Sequence, residues 1–279
     1  MNNSEPGALL KRAESIVRHL ALIAWALFAL FPLVWMLVIT FKSDADMYTT
    51  TFVFKPTLDN YRAVLLNNNY LEAFRDNIII SGCAVAISIV AGVPAAYALA
   101  RYNFKFRENF AFQILSFKFA PEILVVMPLY MIYHALNLYD TYFGLIWVYQ
   151  LITMPLIVWV VRGYFEDIPA DVEHAAQLDG YSWSSIFFKT LIPLIKPGLV
   201  ASALLAFIFA WNNFTFSLIL SGFEIETITS SIMKYIGSDT AHYGQVAVAS
   251  TVAALPEIIM ALLIQKHLVR GLSFGAVKG

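Results

Sequence analysis

The chain has 279 residues, 59% hydrophobic, 15% aromatic and only 13% charged, with a mean hydropathy of +0.69 and a formal net charge of −1. Soluble domains carry about 25% charged residues, so this composition points to a polytopic membrane protein and, lacking any basic block, excludes an electrostatic nucleic-acid binder. The single Cys83 excludes an internal disulfide framework or a cysteine metal cluster, and its apolar setting reads as a small packing residue.

Residues 1–18 are polar and basic, with Lys11, Arg12 and Arg18. The first apolar run, about His19 to Phe41, can cross the roughly 30 Å hydrocarbon layer and reads as a retained helix, not a cleaved leader. A polar loop, Lys42 to Asn77, follows, with Leu58 to Leu66 patterned as a short amphipathic helix. The second span, about Ile78 to Ala100, carries Gly82, Ala86, Gly92 and Ala96 at helical spacing, which favours close helix approach. After the basic loop Arg101 to Glu108 comes the third span, about Phe110 to Ile132, with Lys118, Pro121, Glu122 and Pro128 inside it. A short loop leads to the fourth span, about Tyr142 to Val161. A polar stretch, Arg162 to Gly198, precedes the fifth span, about Leu199 to Leu220. The loop Ser221 to Gln245, the sixth span (about Val246 to Gln265, with Pro256 and Glu257) and the tail Lys266 to Gly279 complete the chain.

Backbone in hydrocarbon must satisfy its own polar groups, so all six spans are expected to be helices and the fold class all-α, with residues 1–279 as one membrane domain. The two terminal segments, the Arg101 loop and the polar stretch together hold twelve Lys and Arg residues, against five in the three loops of the other face. The positive-inside bias therefore predicts both termini and the polar stretch in the cytoplasm.

Phosphate-binding GxxxxGK[ST], HExxH and GxSxG patterns are all absent, and the five histidines, His19, His134, His174, His242 and His267, are scattered. No catalytic residue, metal site or cofactor is expected on this chain. Ionisable or amide groups at membrane depth usually face protein or a water-filled cavity. Lys118 and Glu122, four apart, are placed to pair on one helix face. Asn212, Asn213 and Glu257 are candidates either for interhelical bonds or, with Glu122, for the lining of a pathway.

The polar stretch has the pattern of a folded element. Pro169 suits the first position of a short helix, Ala170 to Leu178, with Asp171 and Glu173 near its positive end. Val172, Ala175, Ala176 and Asp179 fall on one side, giving a low-relief surface. Gly180 ends the helix, and Ser182 is placed to cap a second one, stopped by Pro193 and Pro197. Composition alone leaves open whether this is an interfacial helix pair or a docking element.

The run EHAAQLDGYSWSSIFFKTLIPLIKPG resembles the cytoplasmic loop of permease subunits in binding-protein-dependent ABC importers, whose pattern is Glu-Ala-Ala, two residues, Asp-Gly, then Ile-x-Leu-Pro. The matching positions are Ala175, Ala176, Asp179, Gly180, Ile192 and Pro193; the family's glutamate falls on His174, with Glu173 one position earlier. The segments PTLDNYRAVL, PAAYALARYNF, FAWNNFTFSLIL and GLSFGAVKG are similar to the maltose-type sugar permeases, most of all their shorter second subunit. The resemblance implies a six-helix type I ABC importer fold and a permease for a carbohydrate or sugar-like solute. It also implies a coupling loop at about 162–198, with Glu173, His174, Ala175, Ala176, Asp179, Gly180 and Pro193 at the ATPase contact, and Gly271 and Gly275 in a tail that reaches the ATPase. The implied partners are a second homologous permease, two ATP-binding subunits that hold ATP and Mg, and an extracytoplasmic substrate-binding protein, with lipid around the spans. The alternatives are an ATP-independent transporter or channel, recognisable by broken helices in matched halves, and a scaffold with no pathway.

Overall fold

The computed structural model describes residues 6–67, 69–236 and 242–275, without the side chains of residues 6–11, 13, 67 and 264–275. Its described elements are helical and cluster into two compact units, Met1–Asn68 with Tyr235–Val252 and Asn69–Lys234 with Ala253–Gly279. By length and composition, four helices can cross a membrane singly, and two bent helix pairs raise that number to six.

In the first unit α1 (Pro6–Thr40) extends the first span at its N-terminal side, because the polar residues before His19 continue the same helix. No side chain in its most apolar stretch is buried. Its end is held by Asn60 on α2 (Asp59–Arg62): the Asn60 amide donates to the carbonyl of Thr40, the last helical residue, at 3.1 Å and to that of Lys42, just beyond it, at 2.8 Å. One π-helical turn, Ala63–Asn67, prolongs α2, so the short helix expected at Leu58 to Leu66 is present. Lys42 is fully buried; its ammonium donates to the Thr49 carbonyl at 2.5 Å and lies 4.8 Å from the Trp35 ring and 5.4 Å from the Phe54 ring. Cation–π attraction and one charged hydrogen bond offset the cost of burying that charge.

The second unit contains α3 (Tyr70–Arg101), α4 (Arg107–Ser116), α5 (Glu122–Ala135), α6 (Tyr142–Val148), α7 (Gln150–Glu166), α8 (Ala170–Leu178), α9 (Trp183–Ser185), α10 (Ile192–Trp211), α11 (Thr215–Leu220) and α12 (Ile228–Ile232). The long α13 (Tyr243–Gly275) begins in the first unit and ends in the second. The α7 helix packs against both α3 and α10. Gly92 on α3 is one reason: a Cβ there would stand 3.1 Å from the Met154 sulfur and 3.3 Å from Ile157 and Val158. Alongside, the Ser88 hydroxyl donates to Gln150 at 2.6 Å, and the Gln150 amide donates to the Ala84 carbonyl at 3.1 Å. Of the small residues expected at this interface, Gly92 and Ala96 are buried, whereas Gly82 has open space beside it and Ala86 is exposed. Cys83, expected as a packing residue, is exposed, because it lies on that same uncovered face of α3.

Several spans depart from the continuous helices expected. The third breaks between a 3-10 turn, Phe117–Phe119, and α5, and its two parts meet at 94°. Pro121 restricts the residue before it, Ala120, to extended backbone, with ψ 127°. The fourth bends by 41° around Tyr149, which is fully buried. The fifth starts earlier than its apolar run: residues Trp183–Trp211 form one long helix with a π-helical stretch at Ile186–Leu191. Pro193 therefore does not stop a helix, since the widened turn before it absorbs the missing N–H and the ring. Further along, the fifth span breaks at Asn212–Phe214 before α11.

At Gly198 the α10 backbone lies against the Tyr164 side chain of α7: a Cβ there would lie 2.3 Å from two carbons of the Tyr164 ring. Gly198→Val is expected to force these helices apart at a cost of about 1–3 kcal/mol. The check is the thermal melt of the detergent-solubilised protein, with Tyr164→Ala in the same chain restoring part of the loss.

Candidate functional site

The polar stretch folds as two helical elements against the ends of the spans. Pro169 is the N-cap residue of α8, one position before the predicted start, and Asp171 and Glu173 lie in its first turn. At its other end the Gly180 N–H donates to the Gln177 carbonyl at 3.0 Å and the Tyr181 N–H to the Ala176 carbonyl at 3.1 Å. This 5→2 and 6→1 pair is a Schellman closure. It requires the left-handed conformation that Gly180 adopts at φ +81°.

The orientation of α8 is fixed by Glu173, the one buried residue of that helix. Its carboxylate accepts the Tyr97 hydroxyl at 2.7 Å and the Arg101 Nε–H in a very short contact. The Arg101 guanidinium also donates to the Ile168 carbonyl at 2.8 Å, immediately before α8. Arg101 is the last residue of α3, so one side chain joins the end of a membrane helix to both the start and the first turn of the loop helix. Tyr97 is held in turn by the rings of Tyr102, Phe165, Trp183 and Phe187, with centroids 5.3–5.9 Å away.

That clamp decides which residues face outward. Val172 and Ala176 are half-buried, so the expected single face of Val172, Ala175, Ala176 and Asp179 divides into an inner pair and an outer pair. Asp171, His174, Ala175, Gln177, Leu178, Asp179 and Gly180 are exposed. Leu178 is 90% exposed and Tyr181 52%, an apolar tip on a polar loop. His174 lies on this outer side, its Nδ1 3.9 Å from Asp171, and takes no part in the clamp. Pro193 is exposed within the long helix, away from α8. Gly271 and Gly275 fall inside α13, where only the backbone is described, and Gly279 lies outside the described residues.

Within the spans, the polar residues singled out from the sequence come together in two pairs. The Asn213 amide donates to both Glu122 oxygens at 3.0 Å, while its own side-chain oxygen accepts the Phe216 N–H at 3.1 Å at the start of α11. The Asn212 amide donates to Glu257 at 2.5 Å. Both amides thus make interhelical bonds at the break in the fifth span. The expected Lys118–Glu122 pairing on one helix face does not form, because the third span breaks between them; the Lys118 ammonium lies 3.6 Å from the centre of the Phe209 ring.

At the opposite end of the fifth span from α9, Asp140 ties two loops together. Its carboxylate accepts the N–H groups of Gly222 at 2.8 Å, Glu224 at 2.9 Å and Ile225 at 3.0 Å, and its own N–H donates to the Leu220 carbonyl at 3.0 Å. The sequence reading missed Tyr97, Arg101 and Asp140. Arg101 had one legible signal, its position at the junction of an apolar span and a basic loop; the other two had none.

A family model described as binding-protein-dependent transport system inner membrane component matches residues 88–274. The chain is 34% identical over 260 residues to the trehalose transport system permease protein SugB of Mycobacterium tuberculosis, covering 90% of this chain and 93% of that one. It is also 34% identical over 276 residues to the trehalose/maltose transport system permease protein MalG of Thermococcus litoralis, covering 96% and 99%. A crystal structure of a bacterial ABC transporter involved in the import of the acidic polysaccharide alginate superposes with a TM-score of 0.76 at 25% identity, over 95% of this chain and 99% of that one. With a match over most of its length, a helical fold of several membrane spans and a shaped loop between the fourth and fifth of them, this chain belongs to the inner membrane components of binding-protein-dependent transport systems and is an ABC importer permease subunit.

Proposed function

We propose that this permease forms half of the pathway of an ATP-driven importer for a carbohydrate or sugar-like solute, with a second, homologous permease forming the other half. Two partner subunits bind ATP and Mg and hydrolyse the nucleotide, and an extracytoplasmic binding protein delivers the solute; no cofactor or catalytic group belongs to this chain. The solute class rests on the relatives whose names specify trehalose and maltose transport. Both termini and α8 lie on the cytoplasmic side, a reading supported by the excess of Lys and Arg on that face.

The observation that carries the coupling role is the clamp on α8. A loop helix anchored by a buried charge pair and presenting an exposed leucine and small residues is built to be pushed as a rigid body. Closure of the ATPase dimer moves the outer side of α8, at His174, Ala175, Leu178 and Gly180. Arg101 and Glu173 transmit that movement to α3, and Trp183–Trp211 transmits it to the fifth span. Glu173 is in this reading a positioning residue, and Ala175 to Gly180 are the contact. The outer loops, Lys42 to Asn77 and Ser221 to Gln245, face the binding protein; the Lys42 cage and the Asp140 knot hold their described parts in shape.

Two outcomes are expected for the assembled complex. Leu178→Asp or Gly180→Arg is expected to lower the amount of ATPase subunit recovered with the permease by about tenfold, the loss of one well-buried contact, with membrane insertion unchanged; normal recovery and uptake would sink the coupling assignment. Breaking a buried pair by removing one partner costs roughly 3–5 kcal/mol. Arg101→Ala is therefore expected to leave ATPase binding measurable but to separate ATP hydrolysis from solute uptake in proteoliposomes, and Glu173→Ala to do the same.

A further inference from the structure

The breaks in the third and fifth spans meet at one place, and a cavity of about 360 Å³ opens there. Its apolar wall includes Leu151, Ile152 and the Phe216 ring, and Phe117, Lys118 and Glu122 complete the lining. Along the chain, ten α-helical residues and a 3-10 turn separate the start of α4 from this cavity, a rise of about 20 Å. The cavity therefore sits at the break inside the bent helix pair that forms the third span.

Irregular backbone at membrane depth is tolerated where it is buried in protein or lines a water-filled cavity, and an ionisable group there is costly unless it works. Lys118 makes no hydrogen bond and no ion pair among the described residues; its ammonium lies over the Phe209 ring. Glu122 uses its two oxygens on a single Asn213 amide, and a carboxylate has about four acceptor positions. The cavity is thus lined by an ammonium and a carboxylate that both keep hydrogen-bonding capacity, beside aromatic and aliphatic walls.

We propose that this cavity is a solute subsite in this subunit, shaped for one pyranose ring of a neutral carbohydrate. A pyranose has an apolar C–H face and a rim of hydroxyls that both donate and accept. The walls at Phe117, Phe216 and Leu151 match the face; Lys118 donates to a rim hydroxyl and Glu122 accepts from one. Glu122 also carries the Asn213 bond that closes the broken fifth span, so ring binding and the geometry of that break share one carboxylate. The inference rests on the carbohydrate reading above and adds that this chain, not its partner permease alone, touches the solute in transit.

The test uses the complete importer in proteoliposomes, with its own binding protein, and follows radiolabelled trehalose and maltose together with ATP hydrolysis. Lys118→Met keeps the side-chain stem and removes the donors; Leu151→Trp fills the cavity and leaves both charged groups in place. Each variant is expected to lower uptake about tenfold, the equivalent of one charged hydrogen bond, and to shift the trehalose-to-maltose ratio, while binding-protein-stimulated ATP hydrolysis stays within about twofold of the parent. Wild-type uptake and ratio in both variants overturn the subsite and leave the carbohydrate reading standing. Parallel loss of uptake and hydrolysis with an unchanged ratio also overturns it, in favour of a structural role for Lys118. A parent complex that imports neither sugar but does import a non-carbohydrate solute removes the carbohydrate reading and the subsite with it.

Discussion

In hydrocarbon a backbone N–H or C=O without a partner costs several kcal/mol, and that constraint governs where this chain can stop being helical. Several interruptions are closed by a nearby side chain or by a turn of different pitch. Asn213 accepts the Phe216 N–H in the first turn of α11 and bonds Glu122. Asn60 bonds the Thr40 and Lys42 carbonyls at the end of α1. Ile186–Leu191 widens to a π-helix ahead of Pro193, so the span continues through the proline. Asp140, at the end of the spans, accepts three loop N–H groups at once. The polar residues that look expensive in an apolar sequence are largely those that make the irregular backbone affordable.

The same economy explains the loop at the other end. A surface helix of nine residues is too short to hold its shape alone. It is stable here because Glu173 is bonded to Tyr97 and Arg101, and because Gly180 closes its last turn. A charge pair this well shielded is not a strong source of net stability, but it is intolerant of losing one member. It therefore specifies orientation. The residue one position along, His174, takes no part in that bond and faces outward.

Much of this was legible in the sequence, and the parts that were not share a cause. The number of spans, the loop helix with its glycine end and the family all follow from hydropathy, turn chemistry and a spaced motif, which are local properties. The interhelical use of Asn212, Asn213 and Glu257 was one of two readings, and pairing them with named partners needed coordinates. Lys118 and Glu122 illustrate the failure of local reasoning: a four-residue spacing pairs side chains only if the helix persists, and Pro121 ends it.

A helical membrane permease with a shaped loop between its fourth and fifth spans could be read from the chain alone, because apolar run length and the Ala-Ala…Asp-Gly spacing are written along it. Which face of α8 is presented, the meeting of two broken spans around one cavity, and the hold of Tyr97 and Arg101 on the loop came from the packing of the helices. Those features depend on residues some 70 positions apart, Arg101 and Glu173 among them. Their meeting is set by how α3 and α7 pack, and no local periodicity records it.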